Sequence, residues 1–175
     1  GSSFPALVTS SVIFRKDEPV GLRGAIIDIT ERKQAEEDLR KSEEKYRILF
    51  NNASEAILVV QGETIRFANP AATILSGYAE EALYFRPFTE FIFPDDSDMV
   101  HEYYRKRMAG QEVPSNYVFR IKTLDGSIRW VAVHVALVDW EGGLATLNFL
   151  SDISEQKRAV EALRESEEKY RTLFE

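Results

Sequence analysis

Cysteine is absent from this chain of 175 residues. That excludes disulfides, thiolate metal sites and cysteine-linked chromophores. A basic excess is absent too. The net charge is −7, which argues against nucleic acid or an anionic membrane as a partner, because either needs a basic face. No apolar run reaches transmembrane length. The longest, Val131 to Val138, is interrupted by His134 and reads as a strand. No signal peptide is visible, so a cytoplasmic segment is expected, with a membrane span elsewhere in a longer parent left open. No Ser/His/Asp order, phosphate loop or His-Glu metal helix occurs, so neither catalysis nor a metal is expected of this fragment. Gly1 to Ser3 read as a cloning remnant.

What the chain does contain is a repeat. Asp28 to Phe50 matches Asp152 to Phe174 without gaps, with 16 of 23 positions identical and an offset of 124 residues. The pattern is one module strung in series, with the repeated segment as the joint. Residues 31 to 50 hold six acids and six bases, and no Pro or Gly. Ala35, Leu39, Ser42, Tyr46 and Leu49 are spaced 4, 3, 4, 3, and Ala159, Leu163, Ser166, Tyr170 and Leu173 repeat those spacings. This is a narrow heptad seam on a helix, either a solvated connector or a parallel two-helix coil joining two copies of the chain. Glu36 with Arg40, Glu37 with Lys41, and Glu43 with Arg47 are expected to pair along it. Thr30 and Ser154 are expected as N-caps.

Residues 4 to 30 read as a hairpin turning at Asp17-Glu18-Pro19 and ending in Asp-Ile-Thr. Arg129 to Ile153 has the same order and ends in Asp-Ile-Ser. Residues 4 to 30 are therefore expected to be the last two strands of a preceding module, and 31 to 50 the connecting helix. Residues 42 to 153 form the complete module, and 154 to 175 the output helix and start of the next. Left alone, residues 4 to 29 would expose strand edges, so they are expected to dock on a sheet of this chain or of a dimer mate. Within the complete module, two short strands precede a helix capped by Asn69 with Pro70 in its first turn. Ala71, Ala72, Ile74 and Leu75 are expected on its buried side. Further helices follow, then three antiparallel strands with a tight turn at Leu124 to Ser127. The order is α+β, with helices on one sheet face. The acids Asp95, Asp96 and Asp98 are expected to favour the start of the helix that follows them.

The run Phe67-Ala68-Asn69-Pro70-Ala71-Ala72, Leu75-Ser76-Gly77-Tyr78, Pro94-Asp95-Asp96, Asp125-Gly126-Ser127 with Trp130, and Asp152-Ile153-Ser154 resembles a PAS domain of the sensory-box type. The resemblance covers about 110 residues. It implies a five-stranded antiparallel sheet with helices on one face, flanked by N- and C-terminal coiled-coil-like helices. It also implies a sensory or relay role in a multi-PAS signalling protein, such as a histidine kinase or a diguanylate cyclase. The expected partners are a second copy of the chain and the neighbouring PAS and output domains. Two positions depart from the family pattern: Phe93 stands where His is common, and Phe85 where Gly is common.

The resemblance also names candidate sites. Phe67, Phe85, Phe91, Phe93, Tyr117 and Phe119 are expected to line or fill the interior where family ligands sit. His101 lies in the helix from which haem-binding members take an axial ligand, and otherwise reads as a surface histidine. His134 reads as a half-buried, hydrogen-bonded residue. An adduct-forming flavin needs a cysteine and is excluded, while a non-covalent flavin and a small organic ligand stay open. The leading expectation is a packed relay domain with no cofactor. Asp152, Ile153 and Ser154, with Arg129 and Trp130, are expected to couple the sheet to the output helix, Arg129 pairing with Asp152. Asp28 would do the same upstream.

Overall fold

A computed structural model describes residues 3–174, with side chains described as far as Arg171. Gly1, Ser2 and the side chain of Leu173 lie outside the described residues. The chain divides into two units between Leu49 and Phe50.

In the first unit, β1 (Ala6–Arg15) and β2 (Glu18–Asp28) form a two-stranded antiparallel sheet. The connection is one residue earlier than expected. Lys16 and Asp17 take φ of 52° and 63°, the paired left-handed conformation whose twist matches a two-residue hairpin, and Pro19 sits inside β2. Every residue of both strands is exposed. Helix α1 (Thr30–Asn51) then runs out of β2. Of the three expected pairs, Glu37 with Lys41 is made, at 3.7 Å. Glu36 instead meets Arg32 at 2.8 Å, and Arg40 reaches Glu37 and Glu44. Such exposed pairs each add a few tenths of a kcal/mol at most. Seam residues Leu39, Tyr46 and Leu49 are exposed.

The second unit holds β3 (Ala56–Gln61), β4 (Thr64–Ala68), α2 (Pro70–Ser76), α3 (Glu80–Leu83), a 3-10 turn at Phe88–Phe91, α4 (Pro94–Met108), β5 (Asn116–Lys122), β6 (Ile128–Trp140), β7 (Gly143–Asp152) and α5 (Ser154–Phe174). The sheet order is β4-β3-β7-β6-β5, antiparallel throughout. This is the five-stranded sheet that the resemblance implies. Period-two alternation sends Ala56 and Val60, Phe119 and Ile121, Val133 and Val135, and Leu150 to one face. Leu75, Leu83, Phe91, Val100 and Tyr104 from the helical half close over them in one core cluster. In α2 the buried residues are Ala72, Leu75 and Ser76. Ile74, expected inside, is exposed because it lies one turn position away from that stripe.

Asn69 does more than cap α2. Its Oδ1 accepts from the N–H of Ala72 at 3.1 Å and of Ile57 at 2.9 Å. Its Nδ2 donates to the carbonyls of Glu55 at 2.9 Å and Phe50 at 3.3 Å. One side chain, 1% exposed, thus satisfies four backbone groups on three chain segments.

The β5–β6 turn is held by Asp125. Its Oδ1 accepts from the Thr123 hydroxyl and from Ser127 N–H, and Gly126 supplies φ of 83°. These bonds, the Thr123 hydroxyl foremost, lower the Asp125 pKa from 3.8 to about 2. A folded pKa below the unfolded one means stability that is present above 3.8 and lost as pH falls toward 2. Acid unfolding followed by circular dichroism should therefore show a shallower loss over that window in Asp125→Asn, which starts less stable at pH 7. An unchanged acid profile would count against this turn contribution.

Candidate functional site

Two places in the second unit have the geometry of a site. The first is a cavity of about 90 Å³ between the sheet and the helical half. Phe91, Tyr117 and Phe119 line it, as do Phe88 and Tyr104. Phe67, Phe85 and Phe93 do not, contrary to expectation. Phe67 points to the opposite sheet face, its ring centroid 4.5 Å from Phe50 and 5.7 Å from Trp140. Phe93 precedes α4 and lies under the Arg120 guanidinium at 4.2 Å. Phe85 is 69% exposed with φ of 59°, under Arg66. It occupies a backbone conformation that the family's glycine would adopt freely, and that geometry turns its ring outward.

Polar groups also reach this cavity. Thr146 and Asn148 line it from β7, but Asn148 Nδ2 is already given to the carbonyls of Leu58 and Thr146. The Ser76 hydroxyl donates to the Ala72 carbonyl. Arg107, on α4, lines the cavity and is only 6% exposed. Its Nη2 donates to the Pro114 carbonyl, and it lies beside the Tyr117 hydroxyl. Burial raises the Tyr117 pKa, with Arg107 opposing. The sequence carries a signal for Arg107: Val100, Tyr104 and Arg107 share one helical stripe at spacings of 4 and 3.

His101 is not among the cavity-lining residues. Its Nε2 lies 3.0 Å from Glu63 Oε1 at the surface. His134 is exposed rather than half-buried, because β6 parity turns it to the outer face, where Nδ1 meets Asn116 Oδ1 at 2.8 Å. The cavity lining thus holds no histidine, and 90 Å³ is well below the ~300–1,000 Å³ of cofactor-sized pockets.

The second place is the base of α5. Asp152 Oδ1 accepts from Ser154 N–H at 2.9 Å, and Oδ2 meets Arg129 Nη1 at 3.4 Å, so the expected pair is made. Burial tends to raise the Asp152 pKa, but the Ser154 hydrogen bonds and Arg129 outweigh it and hold the carboxyl below its usual range. Ser154 is not the N-cap. The first helical bond, from Lys157 N–H at 2.9 Å, is accepted by Ile153, which makes Ile153 the cap residue. The Ser154 hydroxyl instead accepts from Trp130 N–H at 2.9 Å, and Trp130 O accepts from Ile153 N–H. The upstream joint is alike: Lys33 N–H bonds to Ile29, and Asp28 Oδ1 accepts from Thr30 N–H and from its hydroxyl.

Trp130 connects this base to the helical half. Lys157 Nζ lies 4.9 Å from its ring centroid, and the Arg120 guanidinium lies 5.3 Å from it. Arg120 in turn grips Asp96, in the first turn of α4. Its N–H and Nε meet Oδ2 at 2.7 and 2.9 Å, and its Nη2 meets Oδ1 at 2.7 Å. The sequence expectation for Asp96 is only that it favours the helix start. Its carboxylate is spent on Arg120, which holds its pKa below the ordinary 3.8. A contiguous chain, Asp96–Arg120–Trp130–Lys157, therefore runs from α4 across β5 and β6 to α5.

The family model for the PAS fold matches residues 44–153, more than half of the chain. The chain belongs to the PAS-fold family. It is 27% identical over 162 residues to the two-component sensor PprA of Pseudomonas aeruginosa, covering 89% of this chain and 17% of that protein. It is 29% identical over 149 residues to sporulation kinase E of Bacillus subtilis, covering 84% and 19%. This PAS chain thus spans under a fifth of the length of those two proteins. Among solved structures, the PAS domain of an HTR-like protein from Haloarcula marismortui is similar at 26% identity and a TM-score of 0.58, covering 69% of this chain and 99% of that one. A sensory-box histidine kinase/response regulator from Burkholderia thailandensis shares the fold at 21% identity and a TM-score of 0.54, covering 73% and 98%. The match starts inside α1 and ends at the α5 base, so both helices flank the PAS body. No helix among the described residues is long and apolar enough to cross a membrane.

Proposed function

We propose that this PAS chain is a relay module that works as a homodimer, passing a conformational signal through α5 to a kinase or cyclic-dinucleotide output domain of a longer parent. The observation that carries the reading is the chain Asp96–Arg120–Trp130–Lys157. It ties the start of α4 to the first turn of α5 through side chains alone. A change in the packing of the helical half moves Asp96. Arg120 follows, and the Trp130 face on which Lys157 rests changes with it.

The upstream hairpin supports the serial reading. Its pairs run from Ala6↔Asp28 to Arg15↔Glu18, and those of β6–β7 from Val131↔Asp152 to Trp140↔Gly143. Both hairpins turn on two residues of positive φ, and a bulge at Ile13/Phe14 absorbs the one-residue difference in offset. Residues 4 to 29 are the closing strands of a preceding PAS domain on this reading, and their exposed apolar residues are covered by a second copy of the chain. Exposed Leu39, Tyr46 and Leu49 on α1, and Leu163 and Tyr170 on α5, supply the dimer seams.

The test is a fusion of this chain, in register through α5, to a histidine-kinase core. Asp152→Ala should change autophosphorylation by about tenfold, within the usual 5–150-fold range of coupling, while the PAS body stays folded by circular dichroism. Equal rates in both fusions, or a monomer by light scattering at high concentration, would contradict the proposal. A second reading, a receptor for a small molecule, is favoured by one observation: the cavity is mostly apolar with a few polar groups in its wall, and its size suits a few heavy atoms.

A further inference from the structure

Among the described residues, Arg107 is a cation without an anion. It is only 6% exposed, and no carboxylate lies within ion-pair distance of it among the described residues. A buried charge is normally paired, because its desolvation is otherwise uncompensated. Here the Pro114 carbonyl, the Tyr117 hydroxyl and the C-terminal end of α4 offer only partial negative charge. A guanidinium has five N–H donors in a planar fork, more than these partners use. The fork belongs to a side chain that lines the cavity, whose other walls are mostly apolar, Leu75, Leu83, Val100 and Phe119 among them, and carry no other charged side chain.

We propose that the cavity binds a small monocarboxylate, its carboxylate on Arg107 and its alkyl part against Leu83, Val100 and Phe119. The inference rests on the receptor reading of the cavity and names its ligand class. A carboxylate matches the guanidinium fork bidentately and completes the missing ion pair. The small volume sets the size, since 90 Å³ holds a short chain and not an aromatic bicycle or a fatty acid. Arg107 also clamps the α4–β5 loop through Pro114. Filling the site would therefore load α4, the helix that carries Asp96.

The probes are butyrate and its neutral isostere butyramide, titrated at pH 7 into the whole chain and followed by NMR. Butyrate should bind at least tenfold more tightly, with Kd near 1 mM as expected of about six heavy atoms, and show filtered NOEs to the Val100 and Leu83 methyls. Arg107→Gln should abolish the tenfold preference, and Arg107→Lys, which keeps the charge but not the fork, should leave a reduced preference. Equal binding of both probes with NOEs inside the cavity would overturn the carboxylate assignment and leave the receptor reading standing. No cavity NOE from either probe would overturn both. Should Arg107→Gln fail to fold, the wild-type ratio with its NOEs decides alone.

Discussion

Replacing Asn69 with leucine should unfold the PAS body or leave it marginal, although the two side chains are close in size. The cost follows from what is left behind. The buried Ile57 N–H loses its partner, the Ala72 N–H keeps only the backbone carbonyl of residue 69, and the carbonyls of Glu55 and Phe50 lose the amide that ties them to the start of α2. A buried unsatisfied group costs about 1–3 kcal/mol, so the loss at Ile57 together with the weakened ties at Ala72, Glu55 and Phe50 comes to about 3 kcal/mol. A domain of this kind has about 5–15 kcal/mol in hand. Urea unfolding should show the midpoint collapse, or no native baseline. Asn69→Asp should be milder at low pH. A neutral carboxylic acid can still donate one bond to Glu55, whereas its anion faces two carbonyl oxygens. A near-native midpoint for Asn69→Leu would mean that the four bonds matter little.

The second large effect is expected at Asp96. Asp96→Ala removes three bonds to Arg120 at once, including the one to the β5 backbone. It also leaves the start of α4 with Asp95 as the nearby acid, 3.6 Å from Arg120. The melting temperature should fall by several degrees. Because the folded pKa of Asp96 is depressed, that loss is seen in full above the ordinary carboxylate pKa of 3.8 and shrinks as pH falls below it. The consequence that matters for function lies at the other end of the network. Arg120, freed from Asp96, no longer holds a fixed place over Trp130, and the seat of Lys157 loosens with it.

Alternation makes the strands of this chain legible in its sequence. Tyr117, Phe119 and Ile121, or Val131, Val133 and Val135, can face one way only if the backbone is extended. The repeat likewise marks both joints, and the Arg129–Asp152 pair follows from charge and strand order. Three kinds of feature are not legible there. Aromatics cannot be sorted by type: Phe67 is turned outward by a bulge opposite Val59/Val60, Phe85 by a positive φ and Phe93 by its cap position, while Phe91 stays inside. Partners far apart in sequence, such as Asp96 with Arg120, are set by a register between α4 and β5 that no local pattern encodes. Hydroxyls at the joints read as caps because serine and threonine usually cap. Here the neighbouring aspartates take that work and free Ser154 to bind the Trp130 backbone. Arg107 lies in plain sight on an apolar stripe, but a lone basic residue there commonly snorkels to water.

The central claim is that α4 and the base of α5 are energetically joined through Arg120 and Trp130. Amide hydrogen exchange in Asp96→Ala tests it most directly, read at Lys157 and its neighbours in the first turn of α5. Exchange there should speed up by about tenfold, as local opening of a coupled element requires, although Asp96 touches no residue of α5. Unchanged protection at Lys157, with faster exchange confined to the start of α4, would contradict the account.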